Sequence, residues 1–243
     1  MKTHTLAPEF RANLKRLLQG FAEHCEISEW LSGRIEQPIY FHGLKFGAPV
    51  FTFDGPRLDD APRRTIGLLG HNTAAGTLAS DVVLQLIEVA TLRPELAAGQ
   101  SLRLLPVSDP VTLELGEDAP DLADWPVLNF LHDEFRASAA DGLIEIRAGR
   151  SATLRLGGTA DIALYQVLAS TVTADLRGLP VRADMADLAL STGLERWHLK
   201  VEVPLGWSQS GDILAVSRFL GRVLETHAHL AAACVPAHAH SRA

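Results

Sequence analysis

Ile66-Gly67-Leu68-Leu69-Gly70-His71-Asn72-Thr73-Ala74-Ala75-Gly76 carries the plainest structural signal in the chain. Thr65 to Gly70 is a continuous apolar run, the pattern of a strand covered on both faces. His71 stands at its carboxyl end. Beyond Gly76, Leu78, Val82, Val83, Leu86, Ile87 and Ala90 recur at helical spacing and predict a long amphipathic helix, which Pro94 stops. Leu102 to Val107 reads as a second buried strand. Strand, helix and strand in that order imply a crossover between parallel neighbours.

Upstream, Phe10, Leu14, Leu17, Leu18 and Phe21 predict a helix over 8–24, with Pro8 suited to its first turn. Residues 38–42 and 49–53, separated by Gly43 and Gly47, read as a hairpin. Downstream, Gly142 to Arg147 is a third buried strand, 161–175 a helix, 197–203 an alternating strand and 213–226 a closing helix. The tail after about residue 230, with Pro236 and His238-Ala239-His240, reads as loose. The expected architecture is one α/β domain over 1–243, three-layered α/β/α, with a mixed, mostly parallel twisted sheet.

Composition narrows the function classes. Hydrophobic residues make up 47% of the 243 and charged residues 21%, ordinary values for a globular domain. The net charge of −7 is spread along the chain, with no basic stripe, so nucleic acid is not an expected partner. No run of eighteen apolar residues predicts a membrane span. Cys25 and Cys234 alone make neither a disulfide framework nor a cysteine-rich metal site. With no apolar signal segment at the N-terminus, a reducing cytoplasm is the expected setting.

The strand ending in His71, the glycine at 76, the long helix, Pro94 and the strand Leu102–Val107 together resemble the zinc carboxypeptidases and their succinylglutamate desuccinylase and aspartoacylase relatives. In that family an apolar strand ends in Gly-x-His-x-x-Glu. Ser108-Asp109-Pro110 is similar to the family's Asn-Pro turn, Gly47-Ala48-Pro49-Val50 resembles its entry hairpin, and Leu199-Lys200-Val201-Glu202-Val203 resembles the strand bearing its catalytic glutamate. The resemblance runs in order over residues 35–226 and implies a shortened carboxypeptidase-like fold.

It also implies a metal site, and this sequence departs from it. Catalytic zinc in carboxypeptidase A is held by two histidines and a glutamate, leaving one position for water. His71 matches the first ligand. Three residues on stands Ala74, which has no donor atom, and the loop to Gly76 is one residue short. Arg147 occupies the place of the second histidine, and a guanidinium has no lone pair to offer. Glu202 matches the proton-accepting glutamate.

Each of these residues has a plain structural reading beside the functional one. His71 is either a metal ligand, helped by Asp109, Asp133 or Glu145, or a strand-end histidine hydrogen-bonded to its loop. Glu202 is either a cleft carboxylate or a paired surface charge. Arg147 and Arg150 are candidate ligand-binding cations, and Arg147 is expected in a closed, dry pair with Glu202 or Glu145. His132-Asp133-Glu134 reads as a helix-surface charge cluster, and His227-Ala228-His229 as part of, or adjacent to, the tail. Gly157-Gly158 lacks the Lys-Ser/Thr of a phosphate loop, and neither Ser151 nor Ser170 sits in a nucleophile elbow.

The reading that follows is a non-catalytic or strongly impaired relative of the metallocarboxypeptidases. It would bind a small anionic molecule, a peptide carboxyl terminus or a protein partner, and need no cofactor. An active zinc-dependent carboxypeptidase or amide hydrolase with a rearranged ligand set is the alternative. A structural or assembly subunit, including a homo-oligomer, is the third.

Overall fold

A computed structural model describes residues 8–41, 44–58, 62–72, 76–115, 126–173, 183–191, 196–207 and 209–233. Ala74 and the His238–His240 pair therefore lie outside the described residues. Among these described residues eight strands form one mixed sheet in the order β1-β2-β4-β3-β5-β8-β6-β7. They are β1 (Leu31–Phe41), β2 (Leu44–Asp54), β3 (Arg64–His71), β4 (Gln100–Leu105), β5 (Gly142–Gly149), β6 (Leu154–Ala160), β7 (Ala183–Leu190) and β8 (Trp197–Pro204). The β3–β4, β3–β5, β5–β8 and β6–β7 pairings are parallel, and β1–β2, β2–β4 and β6–β8 antiparallel.

Strand β3 lies between two parallel neighbours, so its hydrophobic run is covered on both faces. Ile66, Leu68 and Leu69 are fully buried. Each such side chain contributes about 1.5–3 kcal/mol relative to exposure. One face, carrying Ile66, Leu68, Ile144, Ile146, Leu199 and Val201, packs against four helices: α1 (Pro8–Ile27), α2 (Leu78–Leu92), α5 (Ile162–Thr173) and α6 (Ser210–Ala233). The other presents Leu69, Leu105 and Leu143 to Leu128, Leu131 and Phe135 of α4 (Pro126–Ser138). Short helix α3 (Pro110–Leu115) sits beside α1 through Leu113 and Leu17. Two buried hydrogen bonds tie α6 in place: Ser217 Oγ donates to the Val82 carbonyl at 3.0 Å, and Gln100 Nε2 to that of Leu224 at 2.7 Å.

The α/β architecture and the mostly parallel sheet agree with the sequence reading, whereas several elements differ in extent. The hairpin is longer on both sides, because β1 and β2 stay paired from Leu31↔Phe53 to Phe41↔Leu44. Strands β6 and β7 were not expected. Gly157-Gly158 breaks the alternation of β6, and Gly158 is needed there: its φ is +100°, and a Cβ would lie 2.0 Å from the His198 carbonyl oxygen. The last helix continues to Ala233, so residues 231–233 are helical rather than loose.

That extension changes the reading of His227. It lies within α6, 1% exposed, edge-on to Trp197 at 5.4 Å between ring centroids, with Nε2 3.3 Å from Asp161 Oδ2. Asp161 also caps α5, its Oδ1 accepting from the Leu164 amide at 2.6 Å. One carboxylate thus closes a helix terminus and faces a buried imidazole. Asp161→Ala is expected to cost about 1 kcal/mol for the cap alone, and more because His227 loses its partner. Urea unfolding of wild type, Asp161→Ala and Asp161→Asn measures the two contributions, Asn retaining most of the cap.

Candidate functional site

The parallel register sets the site. His71 on β3 is the partner of Arg147 on β5, Arg147 of Glu202 on β8, and Glu202 of Arg155 on β6. Residues opposite one another on neighbouring strands share a face, about 4.8 Å apart. The four side chains therefore form a row across the sheet near the carboxyl ends of β3, β5 and β8, where α/β sheets place their ligand clefts. Two residues back lies a second row: Leu69, Glu145, Lys200, Gly157 and Asp187.

Arg147 and Glu202 pair directly, with the guanidinium donating to Glu202 Oε2 at 3.0 Å. The pair is not the closed, dry one expected. The Arg147 side chain is 57% exposed and that of Glu202 17%, whereas α4 covers β5 further back, at Leu143 and Glu145. Gly149 makes room for Glu202, since a Cβ at 149 would meet its Cγ at 2.0 Å. Arg150 lies exposed in the turn after β5 and does not line the cleft beside Arg147.

Glu145 belongs to a different cluster. Its Oε1 accepts from Arg136 Nε of α4 at 2.9 Å, while Oε2 faces His71 Nε2 at 3.6 Å and His198 Nε2 at 3.5 Å. The two histidines approach from opposite ends, since His71 is in register with residue 147 and His198 with residue 143. Burial by itself would raise the Glu145 carboxyl, but the contacts from His198, His71 and Arg136 outweigh it and hold it well below the usual carboxylate range. Arg136 lies in the last turn of α4, and its carbonyl and that of Ala139, just past the helix, accept from Arg196.

His132 is not part of a surface charge cluster. Its ring meets His71 edge-on at 6.0 Å, and Nε2 lies 3.0 Å from the Ser108 carbonyl, to which it donates. Burial pushes its imidazole pKa down, and the hydrogen bond to Ser108 offsets this only in part. Asp133 points away, 3.5 Å from Arg136 and 77% exposed.

The described residues do not fit a catalytic zinc. Arg147 has no lone pair. The carboxylates available to complete a ligand set are otherwise engaged: Asp109 caps α3 through the Thr112 amide at 2.9 Å, Asp133 faces Arg136, and Glu145 is clamped. Among the described residues no three His, Cys, Asp or Glu groups gather as ligands.

Sequence reasoning did not foresee Arg136, His198, Lys200, Arg155 and Asp187 as members of this face. The alternation of β8 held the signal that His198, Lys200 and Glu202 share a face, but nothing local marked the β6–β7 partners.

No family model matches the sequence, and no curated protein matches it. Solved structures do. A metallo-carboxypeptidase from Burkholderia cenocepacia superposes with a TM-score of 0.63 at 11% identity, over 89% of this chain and 68% of that one. A metallo-carboxypeptidase from Pseudomonas aeruginosa, in complex with (2-guanidinoethylmercapto)succinic acid, gives 0.60 at 15% identity over 91% and 69%. Bovine thrombin-activatable fibrinolysis inhibitor gives 0.61 at 8% identity over 91% and 97%. At such identities the likeness is one of fold, and the chain has the metallo-carboxypeptidase fold.

The Glu145 cluster generates a pH prediction. A carboxyl whose folded pKa is lowered lends stability that is complete above its unfolded pKa and is lost as pH falls through the folded value. Glu145→Gln should therefore destabilise the protein by about 2 kcal/mol at pH 7. The gap to wild type should narrow steadily below about pH 4.3, where the unfolded carboxyl takes up its proton. Urea midpoints measured from pH 7 down to pH 3 check this; a gap independent of pH would contradict it.

Proposed function

We propose that this carboxypeptidase-fold protein has exchanged metal chemistry for recognition of anions, and that it holds a small anionic molecule or a peptide carboxylate at the Arg147 end of its cleft. The observation that carries the reading is the place of Arg147. It stands in register between His71 and Glu202, where the resemblance calls for a metal-binding histidine, and brings a permanently charged guanidinium to a point the solvent reaches. A guanidinium fork matches carboxylate geometry in two parallel hydrogen bonds. Its bond to Glu202 is half in solvent and is worth no more than about 1 kcal/mol, so an incoming anion competes for it at low cost. The Pseudomonas neighbour was solved with a succinic acid derivative bound, which is in keeping with a carboxylate ligand on this fold.

Two measurements test the reading. Elemental analysis of protein purified without a histidine tag is expected to find well under one zinc per chain. Arg147→Ala should shift stability by less than about 1 kcal/mol while abolishing the thermal stabilisation conferred by small carboxylates. One tightly held zinc per chain, lost in His71→Ala, would instead identify a metallohydrolase with a rearranged ligand set.

A further inference from the structure

Beside Arg147 the sheet face opens into a cleft of about 210 Å³, lined by Arg147, Arg155, Gly157, Asp187, Lys200 and Glu202 among others. Two ion pairs flank it. Arg147 binds Glu202 at 3.0 Å, and Arg155 binds Asp187 at 2.6 Å. Between them stands Lys200, which is exposed and has no ion-pair partner among the described residues. Its register neighbour Glu145 is taken by Arg136, and its other neighbour, Gly157, has no side chain. Gly157 itself lines the cleft, and a Cβ there would lie 3.2 Å from Asp187 Cβ, crowding the carboxylate side of the opening.

We propose that this cleft binds the carboxylate group of a small molecule, with Lys200 as its point-charge contact and Arg147 and Arg155 folding onto it from their exposed pairs. The inference rests on the anion-recognition reading above and adds the ligand class and the residue that selects it. Among the described lining residues three cations face two carboxylates, which leaves one positive charge unmatched. A monocarboxylate neutralises it. A phosphate dianion would over-neutralise it and set a second negative charge beside Glu202 and Asp187, which is unfavourable at this range. The Arg147 and Arg155 side chains, 57% and 43% exposed, have the freedom to turn toward a ligand.

The test uses the full chain at pH 8, with sodium propionate and inorganic phosphate as probes at matched ionic strength and binding followed by heteronuclear NMR. Propionate should bind wild type, and Lys200→Met and Gly157→Val should each weaken it at least ten-fold. Phosphate should bind at least ten-fold more weakly than propionate. Lys200 is exposed, so Lys200→Met should melt like wild type and separate binding from folding. Unchanged propionate binding in Lys200→Met, with loss in Arg147→Ala, would overturn the cleft while leaving the anion reading standing. Phosphate binding more tightly than propionate would overturn the ligand class, and no propionate binding to wild type would overturn both proposals.

Discussion

Strand β5 is hydrogen-bonded on both sides to parallel neighbours, β3 and β8, and that double constraint leaves it one register. Ile144 and Ile146 are buried against the α2 and α6 layer, and a slip by a single residue would turn them toward solvent and drive Glu145 and Arg147 into the core. The whole polar face follows from this. Once residue 147 is fixed opposite 71 and 202, the chemistry of three distant segments is placed side by side with no further instruction. Strand β6 then joins β8 in antiparallel register and extends the row with Arg155.

Along that face the charges alternate in sign, and the exposure of the carboxylates rises away from α4. The Glu145 side chain is 13% exposed, that of Glu202 17%, and that of Asp187 62%. The same residue types therefore do different work at the two ends. Near α4, desolvation makes an unpaired carboxylate costly, so Glu145 is surrounded by Arg136, His71 and His198 and binds the helix to the sheet. Toward β7, water screens each pair to about 1 kcal/mol or less, and partners can be exchanged. The charges are thus held tightly at one end of the row and loosely at the other.

The helices reinforce that division. Phe135 and Leu131 of α4 cover Leu69 and Leu143, and Arg136, one residue further along, reaches Glu145. On the opposite side α6 is locked by Ser217 and Gln100 and carries His227 into the core against Trp197. Two further carboxylates serve the helices on the α4 side, Asp109 as the cap of α3 and Glu145 as the partner of Arg136.

Much of the fold was legible in the sequence because burial leaves a periodic trace. The apolar run of β3, the stripe of α2 and the stop at Pro94 each report how a segment meets its surroundings within a few residues. The misfit of Arg147 to a metal was equally local, since a guanidinium cannot ligate wherever it stands. What only the tertiary structure decided was partnership. Glu145 sits two residues before Arg147 yet turns to α4 and to histidines on β3 and β8. His227 reads as tail but is core, because Asp161, 66 residues away, awaits it. Among the described residues Lys200 has no ion-pair partner, and Gly157, on a strand hidden by its glycines, stands opposite. Periodicity encodes which face of an element is covered. The registers between distant strands, which determine whose charge meets whose, are fixed only when the sheet closes.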